Sequence, residues 1–229
     1  MKTNRIIFDA NPLTARQQTG VGKYTFRLIE SLADENKEVA FVGFYYDFLW
    51  RKKNLHLPER KNITYKKVTL VPGAVINLLR RLHIEIPVEL LARTRANIAL
   101  FPNYLTLPSL FGAQIIPVIH DLSYIYFPES MSDKNQRDLE TFVPKSLKRA
   151  SYVFCVSETT KKDLLKEYSY KGDVIVTPIP YEGEPTNIVP KKELEKRYGI
   201  SKPYVLFVGT LEPRKNIPML VDAFIQNKL

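Results

Sequence analysis

The chain has 229 residues, 45% hydrophobic and 25% charged, with a formal net charge of +10 at pH 7. Such proportions belong to a globular protein with a true core. They exclude a membrane-spanning protein, because no run approaches the roughly 18 to 20 apolar residues of a span, and the single cysteine, Cys155, excludes an internal disulfide or a cysteine-rich metal site. The opening MKTNRIIFDA runs straight into a strand with no apolar signal region, which predicts a cytosolic protein. The positive charge calls for an anionic partner: nucleic acid, an acidic membrane surface or a phosphorylated small molecule. Basic pairs such as Lys66-Lys67, Arg80-Arg81 and Lys148-Arg149 are scattered, without a zinc-finger, RRM or homeodomain signature, and read as solvated faces.

Taken in order, Arg5 to Ala10 is a short apolar strand. After the loop NPLTARQQTGVG, a helix from about Gly22 to Ala33 carries Val21, Tyr24, Leu28 and Leu32 on one stripe. Gly20 and Gly22 at its entrance allow close approach of a ligand to the backbone, or simply form a turn. A dinucleotide fingerprint fails here, since the loop is about ten residues too long and Thr25 stands where a third glycine is needed. Glu38 to Tyr45 and Ile63 to Val68 are the next strands, joined by a basic connection holding Trp50. From Gly73 to Arg95, two helical pieces broken by Pro87 place Val75, Leu78, Leu79 and Leu82 among arginines. Helices of this kind cover a sheet or lie on anionic lipid.

Ile98 to Phe101 and Gln114 to Ile119 are further strands, and the second ends in His120-Asp121. A histidine at the end of a parallel strand stands where open α/β sheets bind ligands, although a structural histidine satisfies the same pattern. His56 and His83 read as surface residues, and Cys155 as a buried, inert thiol. Ser132 caps a helix that Pro144 should kink or restart, Tyr152 to Val156 is a strand, and Ser157 caps the next helix. Val174 to Pro178 closes the first domain, IPYEGEPTNIVP is a linker, and Lys191 to Tyr198 is a short helix.

Tyr204 to Val208 reads as a core strand and Asn216 as the cap of a helix with Ile217, Leu220, Val221 and Phe224 inward. Between them, Gly209-Thr210-Leu211-Glu212-Pro213-Arg214-Lys215 sets two cations beside a helix N-terminus. That suits a phosphate, or an ordinary loop with a solvated Arg-Lys pair.

Three dispersed motifs, FDANPL with TGVGKYTFRLIESL, the His120-Asp121 strand end and VGTLEPRKN, resemble the retaining glycosyltransferases of family four, and PKSLKRASYVFCVSETTKKDL follows the same pattern. The resemblance runs over nearly the whole chain. It implies an α/β protein of GT-B architecture: a doubly wound, Rossmann-like parallel sheet over residues 1–180, a linker and short helix over 181–202, and over 203–229 the first strand and helix of a truncated second Rossmann-like domain. The family's Glu-x7-Glu motif lies beyond Leu229, so the 229-residue chain itself is expected to be inactive. By position, Arg214 and Lys215 would bind the pyrophosphate of a nucleotide-sugar, with Gly209 and Thr210 beside them; many members have arginine where Thr210 stands. Gly20 and Gly22 would approach the donor phosphate and the acceptor, and His120 the donor sugar. The implied reaction is hexosyl transfer with retention, mannosyl first, in cell-surface polysaccharide assembly. GDP-mannose or a UDP-hexose would be the donor and a glycan or lipid-linked molecule the acceptor. No metal or cofactor is implied, nor nucleic acid, and the location is cytoplasmic with peripheral contact at the inner face of a membrane. The alternatives are a non-catalytic remnant that binds acceptor, partner or membrane, and a nucleic-acid-binding α/β protein motivated by charge alone.

Overall fold

The computed structural model describes residues 4–50, 55–69, 72–82, 84–178 and 188–227. The chain divides into two compact units, one of residues 1–122 and 137–180, the other of 123–136 and 181–229.

The first unit is built on seven strands: β1 (Arg5–Asp9), β2 (Ala40–Tyr46), β3 (Ile63–Val68), β4 (Ile98–Phe101), β5 (Gln114–Ile119), β6 (Val153–Cys155) and β7 (Val174–Val176). Their order is β3-β2-β1-β4-β5-β6-β7, and every pairing is parallel. The sequence runs outward from β1 on one side and outward from β4 on the other, so the order reverses between β1 and β4. This is the arrangement that opens a crevice at the carboxyl edge. Helices α1 (Gly20–Glu35), α2 (Gly73–Arg81) and α3 (Val88–Ala92) connect the first four strands. In the second half, α4 (Ser123–Tyr126), α5 (Asp133–Arg149) and α6 (Glu158–Tyr168) follow.

Apolar residues occupy both alternating positions of the central strands because both faces are covered. Phe8, Phe41 and Leu100 pack with Tyr24 and Ile29 of α1 on one face; Ile7, Val42 and Ala99 pack with Val88 and Leu91 of α3 on the other. Gly43 in β2 makes room where Phe8 and Tyr65 meet edge to face, 6.0 Å between centroids. A Cβ there would fall 2.6 Å from the Phe8 ring and 2.8 Å from that of Tyr65.

Helix ends follow local chemistry. Thr19 caps α1 by accepting from the Gly22 amide at 3.1 Å, and Ser157 caps α6 by accepting from Thr160 at 3.1 Å. Pro144 does not restart α5, the second of the two outcomes expected from sequence. The helix runs uninterrupted from Asp133 to Arg149 because Phe142, Val143, Ser146 and Leu147 are buried around the proline and hold the turn in place. The break at Pro87 does occur, between α2 and α3.

The second unit contains α4, the start of α5, α7 (Lys191–Tyr198) and α8 (Ile217–Gln226). Residues 204–208 correct the sequence reading: no strand forms there, and Leu206 and Val208 are 72% and 83% exposed. A strand persists only when a neighbour takes up its backbone donors and acceptors, and among the described residues none pairs with this one. The inward face assigned to α8 is likewise uncovered, with Leu220 and Val221 exposed. Asn216 does not cap α8, because it sits in the left-handed region (φ 48°, ψ 43°) rather than the extended conformation a capping side chain needs. Its side-chain amide instead lies 3.1 Å from the Met219 sulfur. Most of the linker, with His83, lies outside the described residues.

Candidate active site

The carboxyl ends of β1, β4 and β5 and the first turns of α1 converge at the order reversal. His120 is the first residue after β5. Its Nε2 lies 2.9 Å from the Pro102 carbonyl oxygen. A carbonyl can only accept, so Nε2 carries the hydrogen and, in the neutral ring, Nδ1 carries the lone pair. Burial holds the His120 pKa below its ordinary value, against smaller upward pulls from the Pro102 carbonyl and Asp121. Burial thus favours the neutral ring, in which Nδ1 can accept a hydrogen bond from a ligand hydroxyl.

Two aromatic neighbours pack on that ring. Tyr24 of α1 meets it edge-on at 5.2 Å and Tyr104 at 6.1 Å, centroid to centroid. The Thr160 hydroxyl donates to the His120 carbonyl at 3.1 Å, tying α6 to the end of β5. Tyr104 is itself held by Asp121, to which its hydroxyl donates at 3.1 Å, while the Asp121 amide lies 3.2 Å from the same oxygen. Tyr24 anchors through its hydroxyl, 2.7 Å from that of Thr177 after β7, and burial raises its pKa.

The two glycines differ. Gly22 is needed for packing, since a Cβ would lie 2.9 Å from the Pro12 carbonyl oxygen; Gly20 faces open space. Tyr24, in the same helix as the two glycines, packs on His120 although about 100 residues separate them in sequence. Tyr24 read as one more stripe residue in the sequence, and Tyr104, Thr160 and Thr177 carried no signal there. Their roles rest on pairings across 17 to 153 positions.

Gly209, Thr210, Arg214 and Lys215 belong to the second unit. Pro213–Lys215 forms a single 3-10 turn leading through Asn216 into α8, and it lies beside the turn Pro128–Ser130. Glu212 organises this loop: Thr210 Oγ1 donates to one carboxylate oxygen and Arg214 Nε to the other, both at 2.6 Å. Those hydrogen bonds, the Thr210 hydroxyl first, hold the Glu212 pKa below its ordinary value. Arg214 thereby keeps its two terminal nitrogens for another anion, with no hydrogen bond to them among the described residues. The Thr210 hydroxyl proton is committed to Glu212 and is not available to a phosphate in this arrangement. A Cβ at Gly209 would lie 3.0 Å from the Phe207 ring. Among the described residues no group of three or more His, Cys, Asp or Glu could hold a metal ion.

A seven-stranded parallel sheet with an order reversal between β1 and β4 and helices on both faces defines a doubly wound, Rossmann-like α/β domain. Its family follows from comparison: the sequence model of Glycosyltransferase Family 4 matches residues 18–180, and the chain belongs to that family. It is 25% identical over 236 residues to O-antigen chain mannosyltransferase B of Escherichia coli, covering 96% of this chain and 59% of that protein. It is 31% identical over 123 residues to O-antigen chain mannosyltransferase RfbU of Salmonella typhimurium, covering 54% of this chain and 30% of that one. The chain thus spans little more than half the length of the first of these relatives. Among solved structures it is similar to an alpha-glucosyltransferase in complex with UDP and a 13-mer DNA, at 14% identity and a TM-score of 0.35, over 75% of this chain and 40% of that one.

Proposed function

We propose that the chain is the acceptor-side domain and the start of the donor-side domain of a retaining hexosyltransferase that moves a mannosyl group from a nucleotide-sugar to a glycan hydroxyl in cell-surface polysaccharide assembly. The observation that carries this reading is His120, held by the Pro102 carbonyl at the carboxyl edge of the sheet in a Family 4 domain. The similar O-antigen mannosyltransferases favour mannose as the sugar. GDP-mannose is the proposed donor, a UDP-hexose the second choice.

The chemistry has two demands. The departing diphosphate gains negative charge while the sugar carbon becomes cationic, so preorganised positive groups must meet the leaving group. Arg214, oriented through Nε by Glu212, offers two terminal nitrogens, and the exposed Lys215 a mobile point charge. His120 Nδ1 takes a hydroxyl of the transferred sugar and fixes its pose. With 204–208 unpaired and α8 uncovered, we assign the 229-residue chain by itself negligible turnover. That same observation favours the second reading, a binding remnant that keeps acceptor or membrane contacts without transfer.

The membrane contact has its own support. Leu90, Leu110 and Phe111 are exposed together, held by the Glu89 carboxylate, which accepts from the Leu110 amide at 3.0 Å, and Arg95 lies 3.9 Å over the Phe111 ring. Leu78 and Leu82, on α2 and just after it, are exposed as well. Among the described residues no helix is long and apolar enough to cross a membrane. We assign this surface to peripheral contact with anionic lipid at the cytoplasmic face. Co-sedimentation with vesicles containing phosphatidylglycerol, compared with neutral vesicles, tests it: Leu110→Asp with Phe111→Asp abolishes binding, and binding that survives both changes removes this surface.

A further inference from the structure

At the same carboxyl edge, β1, β2, β4 and α2 enclose a cavity of about 270 Å³ floored by Phe44, Phe101 and Leu107 and rimmed by Asp9, Asn11, Asn103 and Arg80. Arg80 is its unusual member. Its Nε is buried without a hydrogen-bond partner, and among the described residues the guanidinium makes no ion pair; its Cζ lies 5.9 Å from the centroid of the Phe142 ring. Buried polar groups nearly always find partners, and an unpaired guanidinium is costly to keep out of water. The other rim groups sort by capacity. Asn11 is occupied, its Oδ1 accepting from the Tyr46 amide at 3.0 Å and its Nδ2 donating to Asp9 at 2.6 Å. Asn103 uses Oδ1 to accept from the Tyr104 amide at 2.8 Å, which leaves its Nδ2 donors for a ligand. Asp9 lines the same rim, its Oδ1 already accepting from the Asn11 amide at 2.9 Å as well as from the Asn11 side chain.

A ligand that satisfies this rim carries an oxyanion for the Arg80 fork and a hydroxyl for Asp9. The volume lies just under the ~300 to 1,000 Å³ of small-molecule pockets, which suits one sugar ring. Asn103 follows Pro102, whose carbonyl holds His120, so the cavity borders the transfer site. We propose that this cavity is the acceptor subsite for an anionic sugar, with Arg80 and Asn103 binding its phosphate or carboxylate and Asp9 accepting from a ring hydroxyl. The word acceptor rests on the transferase reading; the anion site does not.

Calorimetric titration of the 229-residue chain at constant ionic strength, with mannose 1-phosphate, glucuronate and mannose as probes, tests it. At least one anionic sugar binds tenfold or more tighter than mannose, and comparing the two anions tells phosphate from carboxylate. Arg80→Gln lowers that affinity at least tenfold, and Asn103→Ala several-fold. Should Arg80→Gln fail to fold by circular dichroism, Arg80→Lys with Asn103→Ala makes the same test, because lysine keeps the charge and loses the fork. Equal binding of neutral and anionic sugars, or unchanged affinity in the Arg80 variant, overturns the proposal. Arg80-dependent binding in the 229-residue chain, when the version extended to the length of its relatives transfers no sugar, keeps this site and rejects the transferase reading; transfer by the extended version without any Arg80-dependent binding does the reverse.

Discussion

Tyr24 stands edge-on to His120, ring planes at 84° and centroids 5.2 Å apart, while its hydroxyl shares a 2.7 Å hydrogen bond with Thr177. One side chain thereby joins the entrance helix, the end of β5 and the segment after β7. Tyr24→Phe keeps the ring against His120 and removes the hydrogen bond, at a cost of about 1 kcal/mol. Tyr24→Ala removes the wall as well and costs ~3 to 5 kcal/mol. Urea unfolding of both variants checks the difference; equal costs would mean that the ring contact contributes nothing.

His120 makes stability depend on pH. Burial lowers its folded pKa below the ordinary 6.5, so the unfolded chain takes up the proton first as pH falls. The contribution is complete above pH 6.5 and is lost as pH drops through the depressed folded value. Thermal melts between pH 8 and pH 5 should fall across that window in the wild type, and fall less in His120→Asn. Parallel pH profiles for the two proteins would show that His120 titrates alike folded and unfolded.

Gly20 and Gly22 separate packing from ligand approach. Gly22→Ala drives a Cβ into the Pro12 carbonyl and should cost on the order of 1 to 3 kcal/mol. Gly20→Ala meets open space and replaces a poor helix former, so stability is unchanged or raised by up to ~1 kcal/mol. If Gly20 serves the ligand, the stable Gly20→Ala protein binds nucleotide-sugar more weakly. Unaltered binding would leave it only a place in the turn.

Gly43→Ala tests the core at one point. The added methyl collides with both Phe8 and Tyr65, and a cost of about 1 to 3 kcal/mol follows. A denaturation midpoint equal to wild type would show that the two rings can move apart freely.

Much of this was legible in the sequence, and the exceptions share a cause. The runs at 98–101 and 114–119 are apolar at every other position and in between, a pattern only a sheet covered on both faces demands, and both strands formed as read. The run at 204–208 has the same pattern and formed nothing, because a strand also needs a neighbour, which no local pattern supplies. Ser157 was readable as a cap because capping is local. Asn216 was misread because the 3-10 turn before it imposes a left-handed joint. His120 could be singled out by its place at a strand end, but its tautomer depends on Pro102, and its orientation on Tyr24 and Thr160. Arg80 looked like half of a solvated pair; only the fold carries it to the rim of a cavity.

The most direct test of sugar transfer by this site is to offer labelled GDP-mannose, and in parallel UDP-glucose, to the 229-residue chain and to a version extended to the length of its relatives. Release or transfer of the sugar is followed, with the anomeric configuration of the product. The extended protein should turn over one donor with retention and the short chain negligibly. Lys215→Ala in the extended protein should cost on the order of 2.7 to 4 kcal/mol in the barrier, the loss of a preorganised charge on the leaving group. No turnover of either donor by the extended protein, robust turnover by the short chain, or unchanged turnover in the Lys215 variant would contradict the account.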